Sequence, residues 1–207
     1  MIILALKAED VKNIAVIGFG VMGTGIAQLC AQQGFNVVAR DVNEDILKRG
    51  MEIIRNGPFG VMRGVERGKI PKDQAEAILN RIKTTTDLKE AVKDADFIIE
   101  AVFEDLELKK KIFAEIDEAA PPHAIIVSNT SSLPITYMAA ATKRPDKVAG
   151  MHFFNPPPVM RLVEVIRALQ TSDETMEVVR GVAIRLGKTP VIVNRDIIGF
   201  IANRVYM

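Results

Sequence analysis

Residues 13–23, NIAVIGFGVMG, decide the fold. Residues 13–17 are short, apolar and rich in β-branched side chains, the composition of a strand buried on both faces. Gly18-Phe19-Gly20-Val21-Met22-Gly23 follows at once, and GIAQLCAQQ (25–33) continues as a helix that stops near Gly34. G-x-G-x-x-G alone is a weak sign. Between a strand and a helix, near the start of a βαβ unit, it reads as a dinucleotide-binding turn. The three glycines have separate tasks: Gly18 permits the tight turn, Gly20 lets backbone approach a pyrophosphate, and Gly23 lets the helix pack close to the strand. Amides without partners at the helix start then face the negative charge. The second strand, FNVVAR (35–40), ends beside Asp41. A carboxylate there accepts hydrogen bonds from ribose hydroxyls and repels a 2′-phosphate, which favours NAD over NADP. Arg40 next to it is of the type that accommodates that phosphate and points the other way.

Outward from this unit, apolar runs alternate with helical patterns. Strands are predicted at 82–86, 95–102, 123–129, 147–154, 161–166 and 189–194. Helices are predicted at 106–120, ended by Pro121-Pro122, within 133–142, and over 172–186. Two long charged stretches, 44–56 and 61–80, read as a helical arm interrupted at Gly57-Pro58 and Gly60. Near-continuous apolar strands separated by helices indicate an α/β, doubly wound, Rossmann-type, mostly parallel sheet covered on both faces. Residues 1–195 are expected to form that domain. From Ile197 the chain turns helical again, and GFIANRVYM has no domain to pack against. Residues 196–207 are therefore expected to open a truncated, helical C-terminal domain.

Composition narrows the function classes. The chain has 207 residues, 48% hydrophobic and 26% charged, enough for a sizeable core and unlike a disordered chain. A formal net charge of +1 gives no bulk electrostatic case for nucleic acid or an anionic membrane. The single cysteine, Cys30, precludes an internal disulfide and offers no thiolate cluster, so no metal is implied; the thiol reads as a core helix residue. Residues 1–6, MIILAL, are too short for a signal segment, and no run approaches a membrane span. A soluble, cytoplasmic protein is expected.

Four features carry chemistry. Of two histidines, His123 follows two prolines and reads as a surface loop residue, whereas His152 ends an apolar strand. Ligands of open α/β sheets bind at such carboxyl ends. An imidazole there either is a satisfied structural group or takes a proton from an alcohol as hydride leaves. Glu164 interrupts LVEVI (162–166) and shares a strand face with Leu162 and Ile166. It either faces water on an edge strand or is buried and needs a partner, for which an imidazole is suited. Ser128-Asn129-Thr130-Ser131-Ser132 directly follows a strand and offers donors to a carbonyl oxygen, or caps the next helix. Asn203, on an otherwise apolar helix, needs a hydrogen-bonding reason if buried.

Together IGFGVMGTGIAQ (17–28), IEAVFEDLELKKKIF (99–113), SNTSSLPIT (128–136), HFFNPPPVMRLVEVI (152–166) and GFIANRV (199–205) resemble the 3-hydroxyacyl-CoA dehydrogenase family from about residue 12 onward. The resemblance implies NAD-dependent oxidation of a (3S)-3-hydroxyacyl-CoA to the 3-ketoacyl-CoA, and the reverse. It implies that His152 is the catalytic acid/base, Glu164 its partner, and Ser131 and Asn203 the groups holding the reacting oxygen. By the same resemblance Glu104, Lys109 and Asn155 contact the cofactor, together with Gly18, Gly20, Gly23 and Asp41. The arm at 44–80 resembles one that helps hold CoA, with Lys69 a candidate phosphate contact. Partners implied are an acyl-CoA substrate and a second copy in a full-length homodimer, with no nucleic acid or membrane. The chain by itself is expected to be weakly active or inactive. One rival is another β-hydroxyacid dehydrogenase, although those rely on a catalytic lysine in place of HFFNP and Glu164. The other is a non-catalytic NAD-binding protein, like the relatives that serve as lens crystallins.

Overall fold

A computed structural model describes residues 6–206; the apolar run at 1–6 and Met207 fall largely outside the described residues. Eight strands form one sheet: β1 (Asn13–Ile17), β2 (Asn36–Arg40), β3 (Ile82–Thr85), β4 (Phe97–Glu100), β5 (Ile125–Ser128), β6 (Val148–Phe153), β7 (Leu162–Arg167) and β8 (Thr189–Val193). Their order is β3-β2-β1-β4-β5-β6-β7-β8, with the reversal of winding between β1 and β4. Every pair is parallel except β6–β7. That exception follows from chain length. Only eight residues join the two strands, far fewer than the dozen or more a parallel crossover needs.

Successive strand side chains enter opposite layers. Ile14 and Val16, Phe97 and Ile99, and Val163 and Val165 pack into one cluster with Ile26, Leu29 and Val179. Ala15, Ile17, Ile98, Ile126 and Ile166 pack into the other with Phe113, Ile116 and Met138. Helices α1 (Val21–Gln32), α2 (Glu44–Asn56), α3 (Val61–Glu66), α4 (Lys72–Asn80) and α8 (Asp173–Arg185) contribute to the first layer. Helices α5 (Leu88–Val92), α6 (Leu106–Ala119) and α7 (Ile135–Ala139) contribute to the second. The helix starts are set by local chemistry. Asn43, Asp105 and Ser172 each accept a backbone amide of the first turn, and acidic residues occupy the first turns of α2, α6 and α8.

The structure corrects several sequence expectations. The stretch 61–80 is two helices, because Gly68 takes φ +66° after α3 and Pro71 caps α4. Helix α5 was not anticipated; Asp87, whose side chain accepts from Lys89 N and Glu90 N, is the signal that identifies it. The terminal helix α9 (Ala202–Tyr206) starts five residues later than the apolar pattern suggests. A turn with Gly199 at φ +80° and Phe200 at φ +50° precedes it.

Cys30 is fully buried in α1, and burial pushes its thiol up to about 12, so it is a packing residue and not a nucleophile. Beside it, burial holds the Lys188 ammonium below the usual lysine range. That ammonium donates to Pro157 O at 2.5 Å and Met160 O at 2.8 Å. It thus ties the β6–β7 connection to the start of β8. Among the described residues no helix is long and apolar enough to cross a membrane.

Candidate active site

The carboxyl ends of β1, β4, β5 and β6 surround a cleft of about 490 Å³ lined by Glu104, Lys109, Asn129, Ser131, His152, Asn155 and Asn203, among others. A larger cleft, about 620 Å³, lies around Asn13 and Asn36 at the amino ends of β1 and β2. The smaller cleft lies at the carboxyl ends of the strands, where open α/β sheets bind their ligands.

The glycine turn lies beside it, with Met22 reaching its lining. Gly18 has φ +96°, and a Cβ there would meet Ala101 O at 2.5 Å. A Cβ on Gly23 would meet Gly18 O at 1.8 Å, so α1 approaches β1 as closely as backbone permits. A Cβ on Gly20 would meet nothing within 4 Å. That open space lies above the start of α1, whose first intrahelical bond is Thr24 N to Gly20 O at 2.9 Å. The amides before Thr24 have no helical carbonyl and face the opening, which fits a pyrophosphate. Asp41 braces the turn: its carboxylate accepts from Phe19 N and Val42 N, each at 2.7 Å, and keeps lone pairs for ribose hydroxyls. Arg40 is turned away, its Nε donating to Thr86 O at 3.2 Å.

His152 and Glu164 are opposite residues of the antiparallel β6–β7 pair. Opposite residues share a face and nearly touch. His152 Nδ1 lies 2.7 Å from Glu164 Oε2, with 6% and 1% of the two residues exposed. A carboxylate is an acceptor only, so Nδ1 carries the hydrogen and Nε2 is left for the cleft. The Phe154 ring packs at 4.6 Å and the Phe200 ring at 5.9 Å from the imidazole. Glu164 Oε1 is not idle: it accepts from Ile201 N and Ala202 N, each at 2.9 Å. Glu164 is therefore the buried, paired group and not the exposed edge residue. His123, by contrast, sits in a loop, with Nε2 3.1 Å from Asp96 Oδ1.

The loop after β5 is built by a second buried network that the sequence only half disclosed. Glu100, fully buried, accepts from Lys109 Nζ at 2.7 Å, Val102 N at 2.7 Å and Ser128 Oγ at 2.6 Å. Lys109 also reaches Val102 O at 3.2 Å and Glu104 Oε2 at 3.3 Å. Its ammonium is thus occupied by the protein and holds Glu104 at the cleft. Glu104 Oε1 in turn accepts from Thr130 Oγ1 and, at 3.1 Å, from Ser131 N. Asn203 Nδ2 donates to the Ser131 carbonyl at 2.9 Å, and Asn129 Oδ1 accepts from Phe153 N at 2.9 Å. The structure thus joins Ser131, Asn203, Glu104 and Lys109 with Ser128 and Thr130 of the same loop, and adds Glu100. A glutamate ending an all-apolar strand, with a lysine nine residues on, was the available signal for Glu100.

Burial pushes the Glu104 carboxyl up, but the Thr130 hydroxyl, the Lys109 charge and the Ser131 amide outweigh it and hold the group below 4.5. A carboxyl depressed in the folded state adds stability that is present above its ordinary value and lost as pH falls through the folded value. The expected result is that Glu104→Gln melts below wild type at neutral pH and that the gap closes below pH 4.5. A gap independent of pH in thermal melts would show that the charge is not involved.

Residues 13–197 match the model for "3-hydroxyacyl-CoA dehydrogenase, NAD binding domain". A probable 3-hydroxybutyryl-CoA dehydrogenase of Bacillus subtilis is 46% identical over 198 residues, covering 96% of this chain and 67% of that protein. The human mitochondrial hydroxyacyl-coenzyme A dehydrogenase is 44% identical over 201 residues, covering 96% and 64%. The crystal structure of a (S)-3-hydroxybutyryl-CoA dehydrogenase from Ralstonia eutropha superposes with a TM-score of 0.89 at 41% identity, covering 95% and 68%. The chain thus spans about two thirds of the length of these relatives.

Proposed function

The chain belongs to the 3-hydroxyacyl-CoA dehydrogenase family, and from that premise we propose that it interconverts (3S)-3-hydroxyacyl-CoA and 3-ketoacyl-CoA with NAD. The observation that carries the reading is the buried His152–Glu164 pair at 2.7 Å, with the second imidazole nitrogen left for the cleft. NAD, when bound, supplies the hydride acceptor. Gly18, Gly20, Gly23 and the start of α1 would hold its pyrophosphate, Asp41 its adenosine ribose, and Glu104, with Lys109 behind it, the nicotinamide end beside Asn155. His152 Nε2 takes the hydroxyl proton as the C3 hydrogen departs with its electron pair, leaving a carbonyl. In reverse His152 returns that proton. Glu164 keeps the imidazole in the tautomer that can accept and stabilises imidazolium without itself moving a proton. Ser131 and Asn203, held together, offer donors to the reacting oxygen.

Arg63, Arg67 and Lys69 line a groove on the arm with Phe59 and Pro158, which supports reading residues 44–80 as the support for CoA phosphates. We read residues 1–195 as the dinucleotide-binding domain and 196–207 as the opening of a helical region through which the full-length protein dimerises. The exposed Ile198, Ile201 and Val205 support that assignment. A cytoplasmic setting, without nucleic-acid or membrane partners, completes the proposal.

The test is NADH oxidation driven by acetoacetyl-CoA, using this chain and the full-length protein. Turnover by the full-length protein that vanishes in His152→Ala is the expected result. NADH binding without turnover in either would leave a cofactor-binding protein in place of an enzyme.

A further inference from the structure

We propose that the segment 196–202 is a positioning clamp for the catalytic pair, with Asp196 as its anchor and the adjacent amides of Ile201 and Ala202 as its grip on Glu164. The inference deepens the dehydrogenase reading and rests on it for its catalytic meaning.

Three observations converge. First, Asp196 lies just past β8, yet its carboxylate accepts Ile135 N at 3.0 Å and Thr136 N at 2.6 Å. It thus pins the chain after β8 to the first turn of α7, which directly follows the loop bearing Ser131. Second, Gly199 and Phe200 are both left-handed, at φ +80° and +50°. Phe200 is the only non-glycine with positive φ among the described residues. Such a conformation costs energy and persists only where the surroundings impose it. A tight turn of this kind can direct neighbouring N–H groups toward one point and form an anion-binding concavity. Third, that point is occupied: Ile201 N and Ala202 N both lie 2.9 Å from Glu164 Oε1.

The consequence concerns Glu164 and not substrate. A carboxylate bonded to His152 alone could swing about its last torsion or lose the imidazole. With Oε1 held by two peptide donors, Oε2 has one direction left, toward His152 Nδ1 at 2.7 Å. The donors are neutral, so they satisfy the buried anion without competing with imidazolium for its charge. The same turn seats Phe200, 3% exposed, against the imidazole and delivers Asn203 to Ser131 O. Asp196, Ile201 and Ala202 are positioning residues; none needs to touch substrate or cofactor.

Three variants of the protein test this. Asp196→Ala removes the anchor. Ala202→Pro removes one donor at the first residue of α9, a position that tolerates proline. The first readout is the proton resonance of the His152 Nδ1–H, assigned by its loss in His152→Ala and its persistence in His123→Gln. The second is steady-state reduction of acetoacetyl-CoA with NADH. In both variants the resonance is expected to broaden or disappear. Turnover is expected to fall about 10–100-fold, the scale of a misplaced catalytic group, while the KM for NADH changes less than about twofold. Asp196→Asn, which keeps one acceptor, should recover part of both. An unchanged resonance in either folded variant overturns the proposal, whatever happens to turnover, because Glu164 would then be held without the clamp. Should Asp196→Ala fail to fold, Ala202→Pro and Asp196→Asn decide. The resonance needs no substrate. Its loss in the variants of a wild type that fails to reduce acetoacetyl-CoA would refute the dehydrogenase reading and leave the clamp standing.

Discussion

Glu164→Gln is expected to lower turnover of the protein by about 10²–10⁴-fold, the range a general acid–base group contributes, with NADH affinity within about twofold of wild type. The amide fits the space of the carboxylate but not its chemistry. Its oxygen can still accept from Ile201 N and Ala202 N, which turns its NH2 toward His152 Nδ1. Two donors cannot face each other, so Nδ1 must give up its hydrogen and Nε2 must carry it. An imidazole in that tautomer has no lone pair in the cleft to take a proton from the alcohol. His152→Ala should lose a similar factor, and the double variant little more, because the two residues act as a unit. Rapid-mixing kinetics with NADH binding measured in parallel provides the check. If Glu164→Gln loses NADH binding while its residual chemistry proceeds at the wild-type rate, the pair belongs to the cofactor site and the assignment is wrong.

Lys109→Met is expected to cost about 3–5 kcal/mol of stability, the penalty for leaving one member of a buried ion pair alone. Lys109 and Glu100 are 1% and 0% exposed, with Nζ 2.7 Å from Oε1. Methionine fills the space of the lysine stem but leaves the Glu100 carboxylate with Val102 N and Ser128 Oγ only. For a domain of this size the melting temperature should fall by roughly 6–20 °C. Adding Glu100→Gln should restore most of that loss. A neutral amide beside methionine carries no stranded charge, and residues in direct contact couple strongly. A single variant less than about 1 kcal/mol below wild type, or a double variant worse than the single, would rule out the ion pair as the source. The network has a functional edge as well. Lys109 is what holds Glu104 against Thr130 and Ser131, so Lys109→Met should weaken NADH binding even at temperatures where it is fully folded.

The Glu100–Lys109 pair also marks where the sequence stops being readable. Lys109 and Glu104 stand out in IEAVFEDLELKKKIF through resemblance, and read that way they are cofactor contacts. Nothing in the linear pattern says that the Lys109 ammonium is consumed by a glutamate nine residues earlier. The exchange depends on α6 folding back along β4, and on β5 placing Ser128 opposite Glu100.

Local chemistry determined much of this protein. The glycine turn follows from the steric freedom of Gly18 and Gly23, the strands from β-branched runs, and most helix limits from caps such as Asn43 and Asp105. Each depends on residues a few positions apart, which is why the sequence alone was enough for the doubly wound class and the cofactor turn. Helix α5 and the break between α3 and α4 were missed although local, because one cap at Asp87 and one glycine at Gly68 weigh little against a charged, helix-like composition. His152 and Glu164 could be named from the sequence and paired through the resemblance, but the register that brings them together could not be read. They lie twelve positions apart, and either a parallel or an edge placement of β7 would have parted them. The short β6–β7 connection forced the antiparallel register that sets one opposite the other. The hold of Ile201 and Ala202 on Glu164, and of Asp196 on α7, exists only once the chain after β8 returns across the cleft. Backbone amides carry no residue identity, so contacts made by them at long range are decided by tertiary structure alone.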